Sequence, residues 1–334
     1  MSDTHAPAST GSRRAVTLLP GAWIGPEVAA HAQRVVAALG VDIDWHLFSD
    51  PDTISAAALA DARATGLVLK GRFDAQRRPG ALPPTVQLRK DLATWATIRV
   101  ARALPGAPAR FPHMDLVVIR ETSEDIYAGL EHEITDGVYE AVKVTTRAAT
   151  ERIAHFAYAY ARVQGRKKVT IVHKSNIMKK SDGLFLKTCQ AVGAGYPDIQ
   201  TDEVIVDALC MKLVRNPSQF DVLLTGNLFG DIVSDLASGL AGGITASPSH
   251  SVGDGAQIFE MPHGKAEAIV GTGKANPVPF LRTTRLLLHA MGEREAAERL
   301  RAAIFAVTAA GVATPDLGGS ASSAEVVDAI IAAL

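Results

Sequence analysis

The sequence contains few cysteines and no cysteine motif. Cys189 and Cys210 are its only two cysteines and form no CxxC pair, so two reduced thiols are favoured over a disulfide or a zinc site. Uninterrupted apolar runs long enough to cross a bilayer are also missing. These absences argue against a disulfide-stapled scaffold and against a membrane protein.

An excess of charge of one sign is missing as well. The net charge is −1, so nothing global directs the chain to nucleic acid or to an anionic membrane, and we expect neither as a partner. An anionic ligand must therefore be held by a local group of basic side chains. The polar stretch 1–14 lacks the apolar segment of a signal peptide. We expect it to be a flexible tail on a cytoplasmic protein.

Strand and helix patterns alternate along the chain. They begin with "RAVTLLPG" (strand), "GPEVAAHAQRVVAAL" (helix), "VDIDWHLF" (strand), "DTISAAALADARAT" (helix) and "GLVLKG" (strand). This alternation predicts an α/β fold. No GxGxxG follows the first strand, so the usual dinucleotide-binding fingerprint is absent.

Further buried strands are predicted where apolar runs end in polar residues. These runs are "MDLVVIRE", "KKVTIVHKS" and "FDVLLTGN". Open α/β sheets bind their ligands just past the carboxyl ends of the strands. Arg120 and Lys174 end two of these runs, where a charge is partly desolvated and requires an anionic partner. With Arg89 and Arg99 they would suit a small polycarboxylate, although Arg89 beside Lys90 also fits a solvated helix face.

Three aspartates form a second candidate set. Asp231 and Asp235 lie four residues apart in "TGNLFGDIVSD", which places them on one face of a helix. Asp207 starts an apolar helix, where it could equally be an N-cap, and the other two could form a solvated face. As a set they offer hard oxygen ligands, which favour Mg²⁺ or Mn²⁺ over zinc.

Two further segments have both a structural and a functional interpretation. Tyr127 in "SEDIYAGLEHE" could be a buried core residue or a reactive one. The loop 261–277, "MPHGKAEAIVGTGKANP", could be a surface connection. Its small residues would also let a ligand approach the backbone closely.

Several long motifs, in order, together resemble the β-decarboxylating dehydrogenases, which include isocitrate, homoisocitrate, isopropylmalate and tartrate dehydrogenases. The motifs are "LLPGAWIGPEV", "LRKDL", "VVIRETSEDIYAGLEHE", "VHKSNIMKKSDGLF", "NLFGDIVSD", "IFEMPHGKAEAIVG", "ANP" and "TPDLGGSASS". The resemblance runs from about residue 15 to the C-terminus. It is closest to the NAD-type isocitrate branch.

The resemblance implies an isocitrate/isopropylmalate dehydrogenase-like α/β fold, with two domains flanking an active-site cleft. A large cofactor-binding domain is expected at 15–95 and 243–334, and a small domain at 96–242. A clasp at about 128–146 would join two subunits into a homodimer with shared active sites.

The resemblance also implies a role for individual residues. Tyr127 would be the acid that protonates the enolate carbon, and Lys174, from the neighbouring subunit, would be the base. The substrate contacts would be Thr85, Arg89, Arg99, Arg120 and Asn176. The cofactor site would be lined by His263, Gly264, Ala266, Ile269 and Asn276. Asp207 of the neighbour would join Asp231 and Asp235 in holding Mg²⁺ or Mn²⁺. The implied reaction is oxidative decarboxylation of isocitrate or a close analogue, with hydride passing to NAD.

The sequence departs from the family pattern where the substrate's γ group and the nicotinamide would bind. Pro83-Pro84-Thr85 stands where the isocitrate enzymes carry a Ser and an Asn, and the preceding loop contains Arg72, Arg77 and Arg78. An altered γ group is therefore an alternative, as in homoisocitrate, 3-isopropylmalate or a phosphonomethylmalate-like substrate. A solvated basic loop is the structural interpretation of those three arginines.

Two alternatives also stay open: which nicotinamide cofactor binds, and whether the chain is catalytic. Glu267 would repel a 2′-phosphate, and Ile269 matches the NAD type, so NAD is favoured over NADP. A non-catalytic regulatory subunit is the remaining possibility. Such subunits usually lose a catalytic Tyr, Lys or Asp, whereas this chain retains all of them.

Overall fold

A computed structural model describes residues 14–74, 82–261 and 264–334. The chain divides into two compact units. The first comprises residues up to 92, the short segment 105–107 and 255–334; the second comprises 93–104 and 108–254. The domain borders expected above are 95 and 243, and the roles assigned to the two domains stay predictions.

The first unit contains a parallel sheet. Its strands are β1 (Arg14–Leu19), β2 (Ile43–Leu47), β3 (Leu67–Lys70) and β12 (Gln257–Glu260), in the order β2-β1-β3-β12. Its helices are α1 (Gly25–Ala38), α2 (Ala56–Thr65), α3 (Pro84–Asp91), α8 (Val278–Ala290), α9 (Arg294–Ala309) and α10 (Ser323–Ala332). The five elements predicted at the start of the chain are thus confirmed. Helix α10 begins with a full capping box, in which Ser322 is the N-cap.

The second unit contains a mixed sheet. Its strands are β4 (Thr94–Arg102), β5 (Asp115–Glu121), β8 (Lys168–His173), β9 (Gln200–Ile205), β10 (Val222–Thr225) and β11 (Ser249–Gly253). They lie in the order β11-β4-β5-β10-β8-β9. The pairs β11–β4 and β4–β5 are antiparallel, and β5, β10, β8 and β9 run parallel. The three buried strands predicted from apolar runs are confirmed as β5, β8 and β10.

Helices cover both faces of this mixed sheet. They are α4 (Arg147–Val163), α5 (Ser181–Gly193), α6 (Val206–Arg215) and α7 (Asn227–Leu240). One buried cluster joins α4 and α5 to Val117 and Ile119 of β5. A second joins α6 and α7 to Leu116 and Val118. Because side chains alternate along a strand, Arg120 follows Val118 on the α7 face.

A two-stranded hairpin projects from the second unit. Strands β6 (Glu131–Thr135) and β7 (Val138–Ala141) pair antiparallel, and every residue of both is exposed. The hairpin falls within the clasp expected at about 128–146. A lone hairpin is marginally stable in water.

No helix in the described ranges is both long and apolar enough to cross a membrane.

Candidate active site

Arg120, near the end of β5, is buried and held by α7. Its Nε and Nη2 donate to Asn227 Oδ1 at 2.9 and 2.6 Å, and its Nη1 donates to the Asp231 carboxylate. Only 8% of Arg120 is exposed. A guanidinium so far from water is stable only when its donors are matched, and α7 supplies the acceptors. The expectation that Arg120 needs an anionic partner is confirmed.

Tyr127 joins this group from a 3₁₀ turn, Ile126–Ala128. Its Oη donates to Asp231 Oδ2 at 2.6 Å, and the Arg120 guanidinium lies 5.1 Å from its ring centroid. Half of the side chain is exposed, so the core interpretation of Tyr127 is wrong. Partial burial raises the pKa of Tyr127 above its ordinary value, and the Asp231 carboxylate adds to the rise. The hydroxyl therefore keeps its proton at neutral pH.

Arg99 and Asp235 form a second pair, one helical turn further along α7. Arg99 Nη2 donates to Asp235 Oδ1 at 3.2 Å. Arg120 lies opposite Thr97 in the β4–β5 ladder, so Arg99, two residues from Thr97, is on the same sheet face. Asp231 and Asp235 do share a helix face, as predicted. The solvated-face interpretation is wrong for Asp231, which is bonded by Arg120 and Tyr127. Asp235 has 76% of its side chain exposed.

Lys174 and Asp207 pair at the carboxyl ends of two neighbouring parallel strands. Lys174 follows β8, and its Nζ donates to the Asp207 carboxylate in the first turn of α6, after β9. This bond lowers the pKa of Asp207 below its ordinary value. The N-cap interpretation of Asp207 is wrong, because the N-cap of α6 is Ile205. Asn176 is exposed two residues after Lys174.

The three aspartates do not meet within one chain. Among residues 14–74, 82–261 and 264–334, no group of three or more His, Cys, Asp or Glu side chains could hold a metal ion. Asp231 and Asp235 alone still offer carboxylate oxygens one turn apart. Mg²⁺ is commonly bound by one or two protein carboxylates, with water and substrate filling the rest of its shell. The donor set therefore fits Mg²⁺ or Mn²⁺ with ligands added from outside the chain.

Arg89 is held in the first unit by an ion pair. Its Nη2 donates to Glu260 Oε2 at 2.6 Å, and Lys70 Nζ donates to Glu260 Oε1 at 2.7 Å. The solvated-face interpretation of Arg89 is therefore wrong. Thr85 lies one turn before Arg89 on α3 and is half-buried.

Lys70 and Glu260, which form this ion pair, are not among the residues predicted from the sequence. They are paired residues of β3 and β12, and each ends an apolar strand. This is the signal that singled out Arg120 and Lys174. Full burial lowers the pKa of Lys70, while Glu260 opposes the shift.

The predicted cofactor residues differ in backbone conformation and in burial. Ala266 has a left-handed φ of 53° and precedes a 3₁₀ turn that contains Ile269. Gly264 lies two residues before Ala266, and His263 falls outside the described residues. Asn276 is buried; its Nδ2 donates to Asp316 Oδ2 at 2.8 Å, and its Oδ1 accepts the Val278 N–H. Its amide therefore holds the start of α8.

A buried charge chain joins the turn of Tyr127 to the strand end of Lys174. Lys143 Nζ lies 3.1 Å from Asp125 Oδ2 and 3.4 Å from Asp182 Oδ1. Asp182 Oδ2 accepts the backbone N–H of Lys174 at 2.6 Å. Asp125 accepts the backbone N–H groups of Ile126 and Leu228. Its φ of 77° is strained for a residue with a side chain, and these bonds hold it there.

The sequence pattern favours a surface charge for Asp125, beside Tyr127, and gives no role to Lys143 or Asp182. The surface-charge interpretation of Asp125 is wrong, because Asp125 is only 3% exposed, as is Asp182. A small cavity of about 20 Å³ adjoins them, lined also by Glu121, Glu124 and Asn227. It has room for roughly one water molecule.

The close approach of α7 to Arg120 requires Gly230. A Cβ placed there would lie 2.3 Å from Thr225 Oγ1 and 2.6 Å from Arg120 Cγ. We expect Gly230→Ala to lower the free energy of unfolding by about 1–3 kcal/mol through overpacking. Urea denaturation would measure this. Gly239→Ala, on the same helix with no atom within 4 Å of the added Cβ, should be neutral or stabilising. Equal losses in the two variants would contradict the packing argument.

Lys143 should be essential to stability because it neutralises two buried carboxylates. We expect Lys143→Met to cost about 3–5 kcal/mol of unfolding free energy, the usual penalty for breaking a buried ion pair from one side. Lys167→Met removes an exposed lysine of the same unit and should change stability by less than about 0.5 kcal/mol. Indistinguishable urea midpoints for the two variants would show that Asp125 and Asp182 do not depend on Lys143.

Comparison with known proteins gives a consistent assignment. Residues 15–330 match the family model described as isocitrate/isopropylmalate dehydrogenase. An Arabidopsis thaliana protein named isocitrate dehydrogenase [NAD] catalytic subunit 5, mitochondrial, is 41% identical over 94% of this chain and 87% of its own length. An Arabidopsis thaliana isocitrate dehydrogenase [NAD] regulatory subunit 1, also named mitochondrial, is 42% identical over 97% of this chain and 90% of its own.

Solved structures agree with this assignment. The crystal structure of isocitrate dehydrogenase from Methylococcus capsulatus has a TM-score of 0.88 and 38% identity, covering 96% of this chain and 99% of that one. The predicted isocitrate/isopropylmalate dehydrogenase-like α/β fold is confirmed. The chain belongs to the isocitrate/isopropylmalate dehydrogenase family.

Proposed function

We propose that the chain catalyses the NAD-dependent, metal-dependent oxidative decarboxylation of a 2-hydroxy acid that bears a β-carboxylate, either isocitrate or a close analogue. One observation carries the proposal. Asp231 is bonded at the same time by the buried Arg120 and by the hydroxyl of Tyr127. A buried arginine and a protonated phenol thus bond the same carboxylate of α7.

Substrate carboxylates are the anions that the arginines suit. Arg120 and Arg99 present guanidinium groups on one face of the second unit, each already facing a carboxylate. A guanidinium can bond both oxygens of a carboxylate. Arg89, fixed by Glu260, is proposed to bind a substrate carboxylate too. Thr85 and Asn176 are the further proposed substrate contacts.

Two residues would move protons. Lys174 would accept the proton of the substrate hydroxyl at Nζ, and the Asp207 carboxylate that contacts this Nζ would hold it in position. Tyr127 would donate its Oη proton to the carbon that loses the β-carboxylate. Its raised pKa keeps that proton available. A well-placed general acid or base is worth roughly 10²–10⁴ in rate.

The metal and NAD would be held by residues already described. Asp231 and Asp235, with Asp207 of a second copy, would hold Mg²⁺ or Mn²⁺. Such an ion, when bound, supplies Lewis-acid stabilisation of negative charge on the substrate oxygens. Gly264, Ala266, Ile269 and Asn276, with His263, are proposed to line the site of NAD, which takes up the hydride. NAD is favoured over NADP because relatives are named for NAD and Glu267 would repel a 2′-phosphate.

Catalytic and regulatory relatives resemble this chain to the same extent. Catalytic and regulatory subunits from Arabidopsis thaliana are 41% and 42% identical to this chain. The site residues favour catalysis. Tyr127, Lys174 and all three aspartates are present, and Tyr127 has the bonding expected of an acid.

A partner subunit is supported by exposed apolar side chains. Leu130, Ile134, Val138 and Tyr139 of the hairpin are 48–66% exposed, and Met211, Val214 and Ile232 of α6 and α7 are about half exposed. A homodimer is proposed. The relatives above are named as subunits, and as mitochondrial, so the cytoplasmic location stays a prediction from the sequence.

A substrate panel tests the proposed reaction. We expect the purified chain, with Mn²⁺ and NAD, to form NADH from isocitrate or from one of homoisocitrate, 3-isopropylmalate and phosphonomethylmalate. Lys174→Met should lower kcat by at least about 10² while circular dichroism and urea midpoints stay close to those of the parent.

The panel separates the alternatives. Isocitrate preferred by orders of magnitude in kcat/KM would rule out a changed γ group, despite Pro83 and Thr85. The reverse preference would establish one. No turnover of any of the four acids would favour the regulatory subunit.

Shared active sites predict complementation between two inactive variants. If Tyr127 and Lys174 of one site come from different chains, a Tyr127→Phe/Lys174→Met hybrid dimer has one intact site of two. Because half of the dimers in an equal mixture are hybrids, co-refolding should restore about a quarter of the parent activity. Co-refolding Tyr127→Phe with the double variant is the control, since it creates no intact site. Recovery no higher than in that control would show that each site is formed within one chain.

A further inference from the structure

An open groove lies between α4 and α5, on the sheet face opposite to α7 and Arg120. Its volume is about 630 Å³, within the usual range of small-molecule pockets. None of the residues that line it is among the proposed catalytic, substrate, cofactor or metal residues. We call it the α4–α5 groove.

The α4–α5 groove is rich in positive charge without matching negative charge. Arg147 of α4 and Lys179, Lys180 and Lys187 in and before α5 line it, against a single acid, Glu151. Within the described part of the chain, no carboxylate lies within salt-bridge distance of these four cations. Arg99, Arg120 and Lys174 each face an aspartate instead. In a chain of net charge −1, such a local excess attracts anions.

Thr188 adds an unsatisfied hydroxyl to the same groove. The residue lines the groove and is 97% buried, since only 3% of it is exposed. Its Oγ1 has no hydrogen-bond partner among the described residues. A buried hydroxyl without a partner is costly. A ligand oxygen in the groove would remove that cost.

The spacing of the cations indicates an elongated anion. Lys180 and Lys187 are seven residues apart around and within α5, which is about 10 Å along a helix axis. Arg147 approaches from the other wall. A single phosphate or carboxylate could meet only one end of this row. A chain of phosphates distributes its charge along the row, and arginine bonds phosphate oxygens in pairs.

We propose that the α4–α5 groove binds a small molecule that carries a chain of phosphates, either an inorganic oligophosphate or a nucleoside polyphosphate. Binding here goes beyond the proposed dehydrogenase activity and does not depend on it. The groove holds the phosphate chain by Arg147, Lys180 and Lys187, and Thr188 bonds one of its oxygens.

Isothermal titration of the full chain with sodium tripolyphosphate tests the proposal. We expect saturable binding with a Kd below about 1 mM, weakening as NaCl is raised because exposed charges are screened. Lys180→Gln/Lys187→Gln should weaken it at least tenfold. Lys167→Gln/Lys212→Gln removes the same charge from exposed lysines of the same unit outside the groove and should leave the Kd within about twofold. Thr188→Val should weaken binding without removing any charge.

Further titrations identify the source of the phosphates. Equal affinities for ATP and tripolyphosphate, both lost in Lys180→Gln/Lys187→Gln, would show that the groove binds the phosphate chain alone. Tighter ATP binding, lost in the same variant, would indicate a nucleoside polyphosphate. The proposal is overturned if inorganic phosphate binds as tightly as tripolyphosphate. It is also overturned if binding is unsaturable, or if the groove variant and its charge-matched control weaken it equally.

Discussion

The burial of Arg120 against α7 is the interaction on which the candidate site depends. A charged guanidinium can leave water only if its donors are matched, and here Asn227 and Asp231 of one helix match them. The helix can come this close because residue 230 has no side chain. The same approach brings Asp231 to the hydroxyl of Tyr127 and Asp235 to Arg99. The position of one helix thus sets two arginines, the phenol and two carboxylates.

Charge in the candidate site is balanced before any ligand binds. Arg120 faces Asp231, Arg99 faces Asp235, Lys174 faces Asp207 and Arg89 faces Glu260. Each pairing limits the cost of holding its own two charges in place. This pairing of charges also suits two ligands of opposite charge. A polycarboxylate would bind the arginines, and a cation would bind the aspartates. The α4–α5 groove differs, since its four cations have no carboxylate partner among residues 14–74, 82–261 and 264–334.

The pattern of residues was enough to predict many of these features. Strand endings at Arg120 and Lys174, the four-residue spacing of Asp231 and Asp235, and the order of the motifs all depend on short-range sequence. Lys70 and Glu260 also end apolar strands. The sequence could not indicate that Asp125, Lys143 and Asp182 form one group. They lie far apart in the chain and resemble ordinary surface charges until the fold buries both aspartates.

Local periodicity and contiguous motifs are enough to specify the α/β alternation, the helix that carries Asp231 and Asp235, and the family, because each pattern lies in residues that are neighbours in the chain. Long-range packing selects one of the two interpretations that the sequence leaves open for a residue. Tyr127 is not a core residue, Asp207 is not an N-cap, and Arg89 does not belong to a solvated face. Those choices depend on which side chains meet across strands and helices distant in the chain, and local sequence does not contain that information.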